Sequence, residues 1–273
     1  MIVNSDRFKD APWLSLYSEG VSVAIIGVGG IGSHTAYIMA NTLNIDSLTL
    51  IDPDEVETHN IGTQFYARGQ VGMYKASALA NTIRTTSNTL GIVNVYNTKV
   101  EDTFNSLHRN NIIVIAVDSI VVRKKIFSYL SDRVMDNEFF KHLPIIIDGR
   151  LNATSYETFA ITDVTGNYEE RRKAYENSLI SEETLGEGSC TMRQTYFFGT
   201  LIASRITNLA TNYLSNLGYK RKCKVENKPY APIFDVPFHI KEIGDGMLFM
   251  KESATSYFNK TKNYKKEEWY AYN

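Results

Sequence analysis

The chain has 273 residues, 43% of them hydrophobic, which is enough for one large core or two small ones. Its 29 Lys and Arg stand against 30 Asp and Glu, a net charge of −1 that excludes holding a polyphosphate backbone by bulk charge and leaves only a local basic groove open. Two cysteines, Cys190 and Cys223, exclude a disulfide-built scaffold and a four-cysteine zinc site. The opening MIVNSDRFKD lacks the apolar run of a signal peptide. The longest uncharged, largely apolar window, 194–204, falls short of the ~18 residues of a spanning helix. A soluble, cytoplasmic protein with no nucleic-acid or membrane partner is the expectation.

Strand-like runs are expected at 21–27, 47–52, 92–100, 112–118, 145–148 and 158–162. Several are unbroken, as in Ile112-Ile113-Val114-Ile115-Ala116-Val117, and such a run must be covered on both faces. Between the strands, Ala36, Met39, Ala40 and Leu43 repeat at helical spacing, as do Ala76, Leu79, Ala80 and Ile83. The alternation predicts an α/β, Rossmann-like doubly wound fold with a mainly parallel sheet. Residues 163–188 are charged and polar and read as a long crossover loop with some helix, of a kind that is functional or mobile. A strong helix follows, with Phe198, Leu201, Ile202, Ile206, Leu209 and Tyr213 expected on one face. Pro229, Pro232 and Pro237 lead to strand-like runs at 238–243 and 247–250, with Gly244-Asp245-Gly246 between them as a hairpin signal. The organisation expected is a nucleotide-binding domain over 1–218, which includes the crossover 163–190, and an antiparallel C-terminal extension and tail over 219–273. The tail at 260–273 reads as a solvated, frayed end or as a docking strip.

Gly27-Val28-Gly29-Gly30-Ile31-Gly32-Ser33 follows the first strand and opens the first helix, the context that gives G-x-G-x-x-G its meaning. Gly27 allows the tight turn, Gly29 lets backbone approach a phosphate, and Gly32 lets helix and strand pack closely. The helix N-terminus then presents N–H groups to an anion. Asp52, at the end of the second strand, is the acid expected to hold ribose hydroxyls. The loop alone leaves NAD and ATP both open.

The next stretch, Asp52-Pro53-Asp54-Glu55-Val56-Glu57-Thr58-His59-Asn60-Ile61-Gly62-Thr63-Gln64, narrows the choice. With Val71-Gly72-Met73-Tyr74-Lys75-Ala76 after it, Asp118 and Arg123 further on, and Arg7-Phe8 at the start, it resembles the ThiF/MoeB family and the adenylation domains of ubiquitin-activating enzymes. Further elements, Ile147-Asp148-Gly149-Arg150-Leu151 and Cys190-Thr191-Met192-Arg193, look like a compact phage and bacterial subgroup of that family. The resemblance covers residues 7 to about 125 with ordered motifs and implies ATP-dependent adenylation of a carboxylate, usually the C-terminus of a small ubiquitin-like protein or a peptide. It implies Lys75 as the point charge on the phosphates, Asp118 as the Mg²⁺ ligand and Asp52 on the ribose. Asn60 and Gln64 would orient phosphates or the substrate carboxylate, with Gly27, Gly29, Gly30, Gly32, Asp54 and Arg123 also in the nucleotide site. A homodimer is implied as well, in which Arg7 reaches the triphosphate of the other subunit.

The sequence departs from the family at Thr63, where an arginine usually precedes the glutamine; threonine cannot supply a planar two-point phosphate contact. Arg68, Arg123 or Arg193 would have to substitute. The family's Cys-x-x-Cys pairs are absent, and no structural zinc is expected. Cys190, before a helix, is a candidate nucleophile toward an adenylated carboxyl group or a small buried residue. Cys223, in a Lys-Arg-Lys-Cys-Lys run, is expected to be exposed. Arg150 lines the site or pairs with Asp148. The alternatives carried forward are a NAD-binding oxidoreductase and a non-catalytic nucleotide- or partner-binding module.

Overall fold

The computed structural model describes residues 20–87, 91–108, 110–134, 144–151, 155–184, 196–245 and 249–255. Arg7, Cys190, Arg193 and the tail at 260–273 lie outside the described residues. The strands are β1 (Val21–Ile26), β2 (Ile45–Ile51), β3 (Ile92–Tyr96), β4 (Ile112–Ile115), β5 (Ile145–Leu151), β6 (Ser155–Ile161), β7 (His239–Asp245) and β8 (Phe249–Thr255). The helices are α1 (Gly32–Thr42), α2 (Lys75–Thr86), α3 (Ile120–Val134), α4 (Tyr168–Thr184) and α5 (Tyr196–Val225).

Among the described residues the strands form one sheet of eight in the order β3-β2-β1-β4-β5-β6-β7-β8. β1 to β5 pair with one another in parallel, whereas β6, β7 and β8 add on antiparallel. The fold is therefore the α/β, Rossmann-like one expected, with its antiparallel end. The order reverses between β1 and β4, and open α/β sheets bind ligands at that switch, outside the strands' C-terminal ends.

Two apolar layers hold the sheet. Ile25, Leu50 and Val114 face one side with α1, α2 and α5, while Ala24, Ile26, Ile113 and Ile115 face the other with α3 and α4. Ile112, Ile113, Val114 and Ile115 are all fully buried, each gaining roughly 1.5–3 kcal/mol from burial. That two-sided burial is the reason β4 has no polar residue.

The segment read as a crossover loop contains a 17-residue helix, α4. It is highly charged, yet Tyr175 and Leu179 are buried against Phe127 and Phe159 of the second layer. The buried Arg171 staples it down, donating to the Ala160 carbonyl at 3.1 Å and the Val236 carbonyl at 2.9 Å. Burial pushes the Arg171 guanidinium down to about 10. The outer face carries solvated ion pairs from Arg172 to Glu169 and Glu176.

Other differences are local. The third strand ends at Tyr96, and a 3-10 helix begins at Val100. On α5 the expected apolar face holds except at Leu201, which points outward at 39% exposure. Cys223 is buried rather than exposed, because α5 runs on to Val225 and its turn carries position 223 inward. The expected 218/219 boundary falls inside this helix, and β7 and β8 pair antiparallel as a hairpin whose connection, 246–248, lies outside the described residues.

Candidate nucleotide site

The site is built where β1, β2 and β4 end. Gly27 turns the chain with φ of +82° while its amide donates to the Ile51 carbonyl at 2.9 Å. A Cβ on Gly27 would stand 2.7 Å from the Ala116 carbonyl oxygen, and one on Gly32 only 1.9 Å from the Gly27 carbonyl oxygen. Both positions therefore need glycine, because the loop folds back between β4 and the start of α1. Gly30 abuts α5, its carbonyl oxygen lying 2.6 Å from where a Cβ of Gly199 would be.

Asp52 follows β2 directly and is 5% exposed. Its two carboxylate oxygens accept from the Val28 amide at 2.7 Å and the Asp54 amide at 2.9 Å. One carboxylate thus locks the glycine loop to the segment after β2, and each oxygen keeps a further lone pair for a ligand hydroxyl. Burial pushes this carboxyl above the usual aspartate value, against the pull of those two amides and of Lys75. Lys75 opens α2. Its amide donates to the Asp54 carbonyl at 2.8 Å, and its ammonium sits on the Asp54 carboxylate at 2.9 Å. The lysine side chain is 10% exposed and that of Asp54 is 63% exposed, so the cation is held inside the site and its partner at the rim.

The segment 57–66 lies over α1. Ser33 accepts from the Phe65 amide at 3.0 Å and donates to the Gly29 carbonyl at 2.6 Å. The His34 ring hydrogen-bonds with the Thr63 backbone, and burial lowers its pKa. Phe65 stacks on Tyr37 at 4.2 Å. Tyr66 donates to the Val28 carbonyl at 2.6 Å, its phenol kept un-ionised by burial and then by the nearby Asp52 and Asp54 charges. The roles of Ser33 and Tyr66 were missed from sequence because each bonds backbone far away in the chain, at Phe65 and Val28.

Asn60 is buried and accepts from the Glu57 amide at 2.8 Å, closing a 3-10 turn. Gln64 points at the glycine loop: its Nε2 would be 3.9 Å from a Cβ on Gly29, and beyond Gly29's chain neighbours no other atom of the described residues lies within 4 Å of that position. Its buried Oε1 has no partner among the described residues. An open approach to Gly29 beside an unsatisfied amide fits a nucleotide phosphate or an incoming polar group. Thr63 turns its hydroxyl to the Asn60 carbonyl at 3.2 Å.

Asp118 is exposed in the bend between β4 and α3. Its neighbour Val117 has its amide 3.0 Å from the Gly27 Cβ position, so Asp118 stands beside the loop. Among the described residues no group of three His, Cys, Asp or Glu side chains is placed to hold a metal. An ion here would need phosphate and water oxygens besides Asp118, as Mg²⁺ commonly uses. The Arg123 guanidinium is taken up by Asp148 and by the Val117 and Gly149 carbonyls. Arg150 pairs with Asp148 at 2.7 Å.

Known proteins resemble this chain in sequence and in fold. The model of the ThiF family matches residues 18–228. The tRNA threonylcarbamoyladenosine dehydratase of Escherichia coli (strain K12) is 39% identical over 72 residues, 26% of this chain and 26% of that protein. Ubiquitin-like modifier-activating enzyme 5 of Rattus norvegicus is 43% identical over 63 residues, 23% of this chain and 15% of that one. The matched stretches thus span 26% and 15% of these relatives' lengths. The crystal structure of E. coli MccB with ATP superposes with a TM-score of 0.62 at 16% identity, over 90% of this chain and 66% of that one. That of PaaA gives 0.59 at 17% identity, over 92% and 69%. At such identity the likeness concerns the fold. With the glycine loop, Asp52, Lys75 and Asp118 gathered at one end of such a sheet and the family model matching most of its length, the chain belongs to the ThiF family.

Proposed function

We propose that this chain adenylates a carboxylate with ATP, the acid being the C-terminus of a ubiquitin-like protein or a peptide. The observation that carries the reading is the convergence of the glycine loop, the doubly bonded Asp52 and the inward-held Lys75 at the switch between β1 and β4. Two of the similar proteins support it by what they are: one is a ubiquitin-like modifier-activating enzyme, and the other has been crystallised with ATP and with MccA.

The chemistry asked of the residues is positioning and charge stabilisation. A carboxylate oxygen attacks the α-phosphorus, the bond from that phosphorus to the bridging oxygen breaks, and pyrophosphate leaves with the electron pair. Asp52 holds the ribose. Lys75 passes from Asp54 to the phosphates, and the Gln64 amide faces the reacting group beside Gly29. Asp118 supplies one hard oxygen to Mg²⁺, which would neutralise phosphate charge. A homodimer with Arg7 crossing between subunits and Cys190 as the acceptor of the activated acyl group complete the reading by family kinship. ATP–pyrophosphate exchange with a panel of C-terminal peptides tests it. Lys75→Ala and Asp118→Ala should each lower exchange by at least about a hundredfold while leaving the circular dichroism of the fold unchanged. Wild-type protein that gives no exchange across the panel would count against the proposal.

The neutral Thr63, with its hydroxyl spent on a backbone carbonyl, favours a second reading as a nucleotide-binding module without chemistry. ATP binding without exchange, unaltered by Thr63→Arg, would select it. Stabilisation by NAD and not by ATP in thermal titrations would point instead to an oxidoreductase.

A further inference from the structure

Asp148 is fully buried, and it gathers several donors. It forms an ion pair with the Arg123 guanidinium and accepts from Arg150 Nε at 2.7 Å and from the Tyr175 hydroxyl at 2.9 Å. Arg123 in turn donates through Nη2 to the Val117 carbonyl and, at 3.1 Å, to the Gly149 carbonyl. The place of these contacts is what matters. The ladder between β4 and β5 ends with Ile115 opposite Asp148. Just beyond that rung the two backbones are joined by a guanidinium.

The Val117 carbonyl belongs to the peptide group that carries the Asp118 amide, so holding it fixes the plane from which Asp118 projects. On its other side the same segment is pressed against Gly27, with the Ala116 oxygen 2.7 Å and the Val117 nitrogen 3.0 Å from the Cβ position there. The segment therefore has little room to move without disturbing the loop. Two arginines converge on Asp148, and Arg123 also reaches the Val117 carbonyl at the strand mouth.

We propose that Arg123 and Asp148 are positioning residues for the adenylation step, acting through the Val117 and Gly149 carbonyls to set the segment that carries Asp118. The proposal rests on the adenylation reading, and its test separates the two. Arg123→Lys keeps a cation for Asp148 but cannot span a carboxylate and two carbonyls. Hydrogen exchange without nucleotide should show the amides of residues 116–119 exchanging about tenfold faster or more, with the rest of the sheet unchanged. The kcat of ATP–pyrophosphate exchange should fall about a hundredfold with the KM for ATP nearly constant, as for a misplaced reacting group. Tyr175→Phe removes a partner of Asp148 without touching either carbonyl, and both readouts should stay near those of the wild type. If Arg123→Lys does not fold, Asp148→Asn makes the same comparison with the shape kept. Unchanged exchange at 116–119, or equal losses in Arg123→Lys and Tyr175→Phe, would overturn the proposal. Failure of the wild type to bind ATP would overturn the adenylation reading and the catalytic half of this one, while the amide exchange still decides who orders the segment.

Discussion

Two glycines of the loop look alike in sequence and differ in what they permit. A methyl at Gly32 would overlap the Gly27 carbonyl, at 1.9 Å, whereas one at Gly29 would meet, among the described residues beyond its chain neighbours, only the Gln64 amide at 3.9 Å. Gly32→Ala should thus destabilise the fold by about 1–3 kcal/mol or more, the usual range for overpacking. Gly29→Ala should melt close to wild type but weaken ATP binding at least about tenfold, roughly 1.4 kcal/mol, by filling the approach a phosphate uses. Calorimetric titration with ATP beside thermal unfolding distinguishes the two; an unweakened Gly29→Ala would show that nothing approaches that backbone. That Asp52 would meet the glycine loop and Lys75 the segment after β2 was legible at this scale, because both belong to one local motif. Asp148 was legible only in its pair with Arg150: its other partners lie 25 residues before it and 27 after, at Arg123 and Tyr175, and no short pattern encodes that meeting.

Elements were legible to the extent that their pattern is apolar. β4 and α2 announced themselves through continuous or periodic burial, whereas α4 hid because its inward side is narrow and its long buried anchor is an arginine. Cys223 was misplaced for a similar reason: the basic residues around it describe the helix's outer face, and the helical turn decides where the thiol goes. The antiparallel strands carry their own electrostatic seam. Glu157 of β6 takes Lys241 of β7 at 2.5 Å and faces His239 at 3.5 Å, while His239 stacks on Phe159 at 4.4 Å. His239 first, and then Lys241, hold the Glu157 carboxyl down at about 2, against a usual value of 4.5. A carboxyl with a depressed folded pKa stabilises fully above the unfolded value and loses that contribution as the pH falls toward the folded one. The protein should therefore lose stability between pH 4.5 and about 2, and Glu157→Gln should flatten that part of the acid limb while lowering stability at neutral pH. Denaturant unfolding at a series of acidic pH values checks it; parallel curves for mutant and wild type would dismiss the seam.

At the scale of the molecule, the nucleotide half and the antiparallel half share one sheet and one long helix. α5 lies along α1, β5 and β6, and its buried Asn216 reaches across to the segment before β7. There it donates to the Phe234 carbonyl at 2.7 Å and accepts from the Ile233 and Phe234 amides, each at 3.0 Å. A fragment ending at residue 218 would keep the glycine loop, Asp52, Lys75 and Asp118. It would lose the partners of Asn216, the Val236 carbonyl that anchors Arg171, and the buried Val236, Phe238 and Ile240. Those three side chains are each worth roughly 1.5–3 kcal/mol of burial. A buried amide left without partners costs about 1–3 kcal/mol more. Together these approach the whole stability of a typical domain, about 5–15 kcal/mol, and β6 would be left as an unpaired edge that invites association. The 1–218 fragment should consequently be insoluble or lack a cooperative unfolding transition and should bind no ATP, although every nucleotide residue named here, within the described chain, is present in it. Cooperative melting of that fragment, raised by ATP, would mean instead that the antiparallel end is an appendage and that the nucleotide site stands on β1 to β5 alone.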